Sequence, residues 1–149
     1  MTEILWHGRG GQGAFSAARI LGSAYVLSGG WALAFPSFGP ERRGAPMRAF
    51  TKLDSVPIVS RSEITSADYI VYLDKTLVPE TPEGTVLIPT SEMYVLATAH
   101  RLPTVNTIML GSLAKTLNIP LEMVIVAIET VMPERIRARN VAAVKEVMQ

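Results

Sequence analysis

The run Ile4-Leu5-Trp6-His7-Gly8-Arg9-Gly10-Gly11-Gln12-Gly13 decides the fold. Ile4-Leu5-Trp6 is a short apolar lead-in of the kind that opens a strand, and glycines end it. From Ala14 the period changes. Ala14, Ala18, Leu21 and Tyr25 recur at helical spacing, which predicts a helix from Ala14 to Leu27. Gly22 within it costs about 1 kcal/mol against alanine, a cost that close approach of the helix to a strand would justify. Gly29-Gly30 ends the helix, because the left-handed cap favours glycine. Trp31 to Phe35 then predicts a second strand, completing a βαβ unit.

Farther along, Phe35-Pro36-Ser37-Phe38-Gly39-Pro40-Glu41-Arg42-Arg43-Gly44 begins a stretch to Pro46 whose three prolines and two glycines forbid a helix or an interior strand. Met47 to Leu53 alternates, with Met47, Ala49, Thr51 and Leu53 on one face and Arg48 and Lys52 on the other. That pattern predicts a half-exposed strand near an edge. Ser55 to Ser66 is a connector. Tyr69 to Leu73 is a continuous apolar strand, and Thr85 to Ile88 a short one. The remainder is helical: Thr90 caps a helix to about Ala99, Asn106 to Leu117 forms another, Pro120 starts a third reaching Val131, and Pro133 opens the last. The pattern predicts an α/β fold, Rossmann-like, with a mostly parallel sheet flanked by helices and a helical C-terminal part, in one domain over residues 1–149.

Composition narrows the chemistry. The chain of 149 residues has no cysteine and two histidines, which excludes a disulfide, a thiolate nucleophile and a cysteine-held zinc or iron–sulfur cluster in this chain. A formal net charge of +1 gives no field for nucleic acid. No apolar run approaches the roughly 18 residues of a membrane span, and Met1-Thr2-Glu3 enters the first strand without a signal-peptide pattern, so a cytoplasmic location is expected. Hydrophobic residues make up 48% of the chain, an excess that fits either a surface hidden against partners or a large core.

Two stretches carry the candidate site. Gly8-x-Gly10-x-x-Gly13, between a strand and a helix, lets backbone approach a phosphate at the positive end of the helix. A dinucleotide site would also need an acid at the end of the second strand. Leu33-Ala34-Phe35 offers none, and the next carboxylate is Glu41. The alternative is a tight turn that only packs helix on strand. Arg9 suits a phosphate or a partner's carboxylate, Gln12 a ligand or the turn itself, and His7 a structural hydrogen bond. In the second stretch proline preorganises the loop, Arg42 and Arg43 offer planar donors, and Glu41 can orient one of them. If the first two strands are adjacent and parallel, both loops lie at one edge. Asp74, after a buried strand, suits either a polar group at the same edge or a helix cap, and the cap is the expected role.

Together these residues resemble a known family. The turn Gly8 to Gly13, the run Ala34 to Ala45, Arg61-Ser62, Tyr72-Leu73-Asp74, Pro89-Thr90-Ser91-Glu92, Asn106 to Lys115 and Asn140-Val141-Ala142-Ala143 are similar to the gamma subunit of the 2-oxoacid:acceptor oxidoreductases. The likeness spans nearly the whole chain. It implies a subunit of a complex in which a 2-oxoacid is decarboxylated on thiamine diphosphate, electrons leave through iron–sulfur clusters and coenzyme A takes the acyl group. It implies that thiamine-bearing alpha/beta-type subunits and an iron–sulfur subunit are the partners and hold those cofactors, and that this chain contributes to assembly and the coenzyme A step. Carried over by position, the binding residues would be Gly8, Arg9, Gly10, Gly11, Gln12 and Gly13 with Ser37, Phe38, Gly39, Pro40, Glu41, Arg42 and Arg43, with no catalytic residue and no metal ligand in this chain. Other possibilities are a stand-alone nucleotide- or dinucleotide-binding module and a purely structural assembly subunit. The chain is shorter than many gamma subunits: Val86-Leu87-Ile88 runs into Pro89 with almost no spacer, which puts the strand count there in question.

Overall fold

The computed structural model describes residues 1–37 and 45–149. Its elements follow in the order β1 (Thr2–Arg9), α1 (Ala14–Leu27), β2 (Trp31–Pro36), β3 (Pro46–Asp54), β4 (Tyr69–Tyr72), β5 (Thr85–Leu87), α2 (Ser91–Ala99), α3 (Asn106–Thr116), α4 (Leu121–Val131) and α5 (Glu134–Met148). A one-turn 3-10 helix follows β4 at Lys75–Leu77. Among the described residues the strands form one sheet in the order β2-β3-β1-β4-β5.

The sheet is mixed. β1 pairs in parallel with β4, and β4 with β5, while β3 lies antiparallel between β2 and β1. β1 and β2 therefore point the same way but are not neighbours. β3 corrects the edge placement expected from its alternation: it is interior, with Ala49 to Leu53 all buried. Arg48 and Lys52 caused that misassignment. The Lys52 ammonium lies 5.8 Å from the Phe35 ring centroid and donates to the Ser60 carbonyl at 3.2 Å. Arg48 lies over Phe50 and pairs with Glu63 at 3.4 Å. Their stems cover aromatic surface while their heads find polar partners. Antiparallel pairing along the whole of β3 also lengthens β1, so Gly8 and Arg9 belong to the strand, opposite Met47 and Pro46.

The helices form a layer on one face. α1 packs across β1, β2 and β3, and α3, α4 and α5 pack behind it. The Trp6 indole N–H donates to the Thr51 hydroxyl at 2.9 Å, and that hydroxyl donates to the Ala18 carbonyl of α1 at 3.0 Å. This buried relay pins the helix to the centre of the sheet. Gly22 faces β2 and β3 as anticipated: a Cβ there would lie 3.4 Å from the Ala32 Cβ. β5 has three residues and stands at the edge, with only residues 88–90 between it and α2, so the short connection leaves a five-stranded sheet.

Candidate functional site

The site is built where β1, β2 and β4 end, at the carboxyl edge of the parallel strands. The chain turns there over Gly10 to Gly13. The Gly10 N–H donates to the Ala45 carbonyl at 2.9 Å, tying the turn to the start of β3, and the Gln12 N–H returns to the Arg9 carbonyl at 3.0 Å. Gly11 and Gly13 take φ of 92° and 79°. Gly13 occupies the N-cap position of α1, and among the described residues no side chain caps that helix. The first N–H groups and the positive end of a 14-residue helix are thus directed at this edge.

β4 supplies the facing wall. The Arg9 Nε lies 3.3 Å from the Asp74 Oδ2, and its Nη2 donates to the Thr76 hydroxyl at 2.8 Å. The Gln12 amide donates to Asp74 Oδ2 at 2.9 Å and its carbonyl accepts from the Arg9 backbone N–H at 2.6 Å. Asp74 caps the 3-10 helix, as expected, by accepting from the Thr76 N–H at 2.9 Å. The Thr76 hydroxyl also donates to it. These Thr76 bonds first, then the Gln12 amide and the charge of Arg9, hold the Asp74 carboxyl down to about 2.

His7 lies in β1, followed by Gly8 and Arg9 before the turn, and stacks on Tyr72, ring centroids 4.9 Å apart and 8° from parallel. Among the described residues its ring has no hydrogen-bond partner, so its structural part is stacking, not the hydrogen bond anticipated. Burial, and then the positive charge of Arg48, lowers its pKa and favours the neutral imidazole. Ser37 lies at the same edge. Its N–H donates to the Arg48 carbonyl at 2.9 Å and its hydroxyl to Glu63 at 3.4 Å. Phe38, Gly39, Pro40, Glu41, Arg42 and Arg43 lie outside the described residues.

Behind the turn a cleft of about 180 Å³ separates Gly11–Gly13 and Ser16 from the C-terminal helices. Arg101, Asn106 and Arg139 are among its lining residues. The Asn106 amide donates to the Gly13 carbonyl at 3.3 Å, and Arg139 donates to the Arg101 carbonyl at 3.2 Å. Sequence reasoning missed these residues, because only tertiary packing brings α3, α5 and the connection after α2 to a turn far earlier in the chain. The one available signal was Asn106 at the start of a predicted helix.

The topology also bears on the cofactor. In a dinucleotide fold the ribose-binding acid ends the strand beside β1. On the β2 side that neighbour is β3, which runs the opposite way and begins at this edge with Pro46, while on the other side β4 runs parallel to β1. The glycine turn is retained, but the second strand does not lie beside β1 as it does in a dinucleotide fold.

Fold and site together define an α/β domain with a glycine-rich turn at the carboxyl edge of its parallel strands. The chain belongs to the pyruvate ferredoxin/flavodoxin oxidoreductase family, whose pattern matches residues 3–103. It is 36% identical to the pyruvate synthase subunit PorC of Methanothermobacter marburgensis over 97% of this chain and 94% of that one. It is 35% identical to the common gamma subunit of the pyruvate/ketoisovalerate oxidoreductases of Pyrococcus abyssi, over 100% of this chain and 96% of that protein. Among solved structures, the pyruvate oxidoreductase subunit PORC of Thermotoga maritima superposes with a TM-score of 0.80 at 29% identity, covering 99% of this chain and 94% of that chain. The M. marburgensis alignment runs over 167 positions against 149 residues here, so that relative carries segments without a counterpart in this chain.

Proposed function

We propose that this chain is the gamma-type subunit of a 2-oxoacid:acceptor oxidoreductase, working only with its partners in the oxidative decarboxylation of a 2-oxoacid to an acyl-coenzyme A. The observation that carries this reading is the match to gamma and PorC subunits along essentially the whole chain. The partners are thiamine-bearing subunits and an iron–sulfur subunit. A thiolate-held cluster must lie on another chain, since this one has no cysteine.

The edge formed by Gly8, Arg9, Gly10, Gly11, Gln12 and Gly13, with the loop from Ser37 to Arg43, meets coenzyme A or the thiamine-bearing subunit. An α1 N-terminus that no side chain caps among the described residues and the Arg9 guanidinium suit a phosphate-bearing ligand. Ser37 and Ala45, at either end of the loop, both hydrogen-bond at this edge. Coenzyme A supplies the thiol that accepts the acyl group. This chain's residues bind and orient its anionic portion. In the assembled complex, Arg42→Ala or Arg43→Ala is expected to raise the coenzyme A requirement about tenfold or to prevent assembly. Steady-state kinetics and size-exclusion chromatography are the measurements, and wild-type values in both would refute the assignment. Isolation of the native complex with its partner chains tests the subunit reading itself.

A further inference from the structure

An arginine side chain has several rotatable bonds, and a binding site must hold the guanidinium in one orientation to gain from its planar fork. The Asp74 carboxylate is one of the groups that hold Arg9. The two oxygens of Asp74 have different partners. Oδ1 accepts from the Thr76 N–H at 2.9 Å and from its hydroxyl at 2.6 Å, closing the 3-10 turn. Oδ2 receives the Gln12 amide at 2.9 Å and faces the Arg9 Nε at 3.3 Å. The Thr76 hydroxyl, fixed by donating to Oδ1, accepts from Arg9 Nη2 at 2.8 Å. Gln12 completes a ring by accepting from the Arg9 backbone N–H at 2.6 Å. Backbone, amide, carboxylate and guanidinium thus close on one another across two strands that are 60-odd positions apart in the chain.

We propose that Asp74 is a positioning residue of the ligand edge: through Oδ2 it sets the plane of the Arg9 guanidinium and the pose of Gln12 before an anionic ligand group arrives. β4 with its following turn is then a wall of the site that faces the glycine turn. The inference rests on the coenzyme A reading above for its functional readout, though not for its geometry. The carboxylate remains ionised throughout the physiological range, since its pKa is about 2. The orientation therefore holds at any pH at which the enzyme works.

Asp74→Asn separates the two oxygens. Asparagine caps as well as aspartate, so the bonds at Oδ1 survive, while an amide nitrogen in place of Oδ2 meets two donors, Arg9 Nε and Gln12 Nε2. In the complete complex, Asp74→Asn is expected to raise the KM for coenzyme A about fivefold more than it lowers kcat. Thr76→Val, which removes the hydroxyl that accepts from Arg9 Nη2, is expected to act in the same direction. Arg9→Ala is expected to raise KM at least as far, and the Arg9→Ala, Asp74→Asn double variant no further than Arg9→Ala alone, because Asp74 acts through Arg9. A crystal structure of the Asp74→Asn complex is expected to show the Arg9 guanidinium displaced. Arg9 in its original place overturns the proposal, as does a KM effect of Asp74→Asn fully additive with Arg9→Ala. A displaced Arg9 with unchanged KM in every variant leaves the positioning role standing and overturns the coenzyme A reading.

Discussion

Gly13 does more than close a turn. Its φ of 79° is a left-handed conformation that costs a residue with a Cβ about 1–2 kcal/mol, and a Cβ built there runs into the amide nitrogen of Asn106. The same glycine thus admits the turn, starts α1 and lets α3 reach the turn's carbonyl. Gly11 has a similar φ of 92°, but a Cβ added to it would meet nothing within 4 Å. Gly13→Ala is therefore expected to destabilise the chain by about 3 kcal/mol and Gly11→Ala by about 1 kcal/mol, a difference that denaturant titration measures. Equal losses would mean that the Asn106 contact yields without cost. The pattern of glycines and the coming helix were legible in the sequence. Asn106 against Gly13 was not, because no local pattern records a contact between residues so far apart.

Elements whose signals are local were legible almost to the residue. Thr90 accepts the Met93 N–H at 3.2 Å and starts α2, and Pro133 stands at the N-cap position of α5. The position of β3 was not legible, for two reasons. Strand order is a property of the assembled sheet, and the alternation of Arg48 and Lys52 mimics a solvent face while Lys52 is 2% exposed. The two strand ends still share one edge because β2, though separated from β1 by β3, runs in the same direction as β1. Gly22 shows the opposite outcome. Its close approach to β2 is present, but a Cβ at 3.4 Å from Ala32 is an ordinary van der Waals contact. Alanine is about 1 kcal/mol the better helix former. Gly22→Ala is therefore expected to leave the melting temperature unchanged or raise it by a few degrees, and a loss of more than about 1 kcal/mol would show that α1 cannot shift against the sheet.

The family match ends at residue 103, within the connection between α2 and α3, yet the physical unit continues. One hydrophobic cluster runs from Ile4 and Trp6 of β1 through Ile20 and Leu21 of α1 to Ile108, Leu113, Ile128 and Val144 of the last three helices. All of these residues are at most 1% exposed. α1 lies sandwiched, with the sheet on one side and α3 and α4 on the other. At about 25 cal/mol per Å² of apolar surface, each large side chain left uncovered costs about 1.5–3 kcal/mol, and a domain's whole stability is about 5–15 kcal/mol. Exposing the back of α1 at several such positions therefore exceeds what β1 to α2 could retain. The Thr107 hydroxyl, buried and donating to Asn140 at 2.6 Å, ties α3 to α5 within the same layer. Residues 1–149 are accordingly expected to unfold as one cooperative unit, and a chain ending at residue 103 to lose its fold altogether. Circular dichroism of the truncated chain is expected to show no cooperative thermal transition. A sharp melt with retained strand signal would place the domain boundary at residue 103 and make the C-terminal helices a separate module.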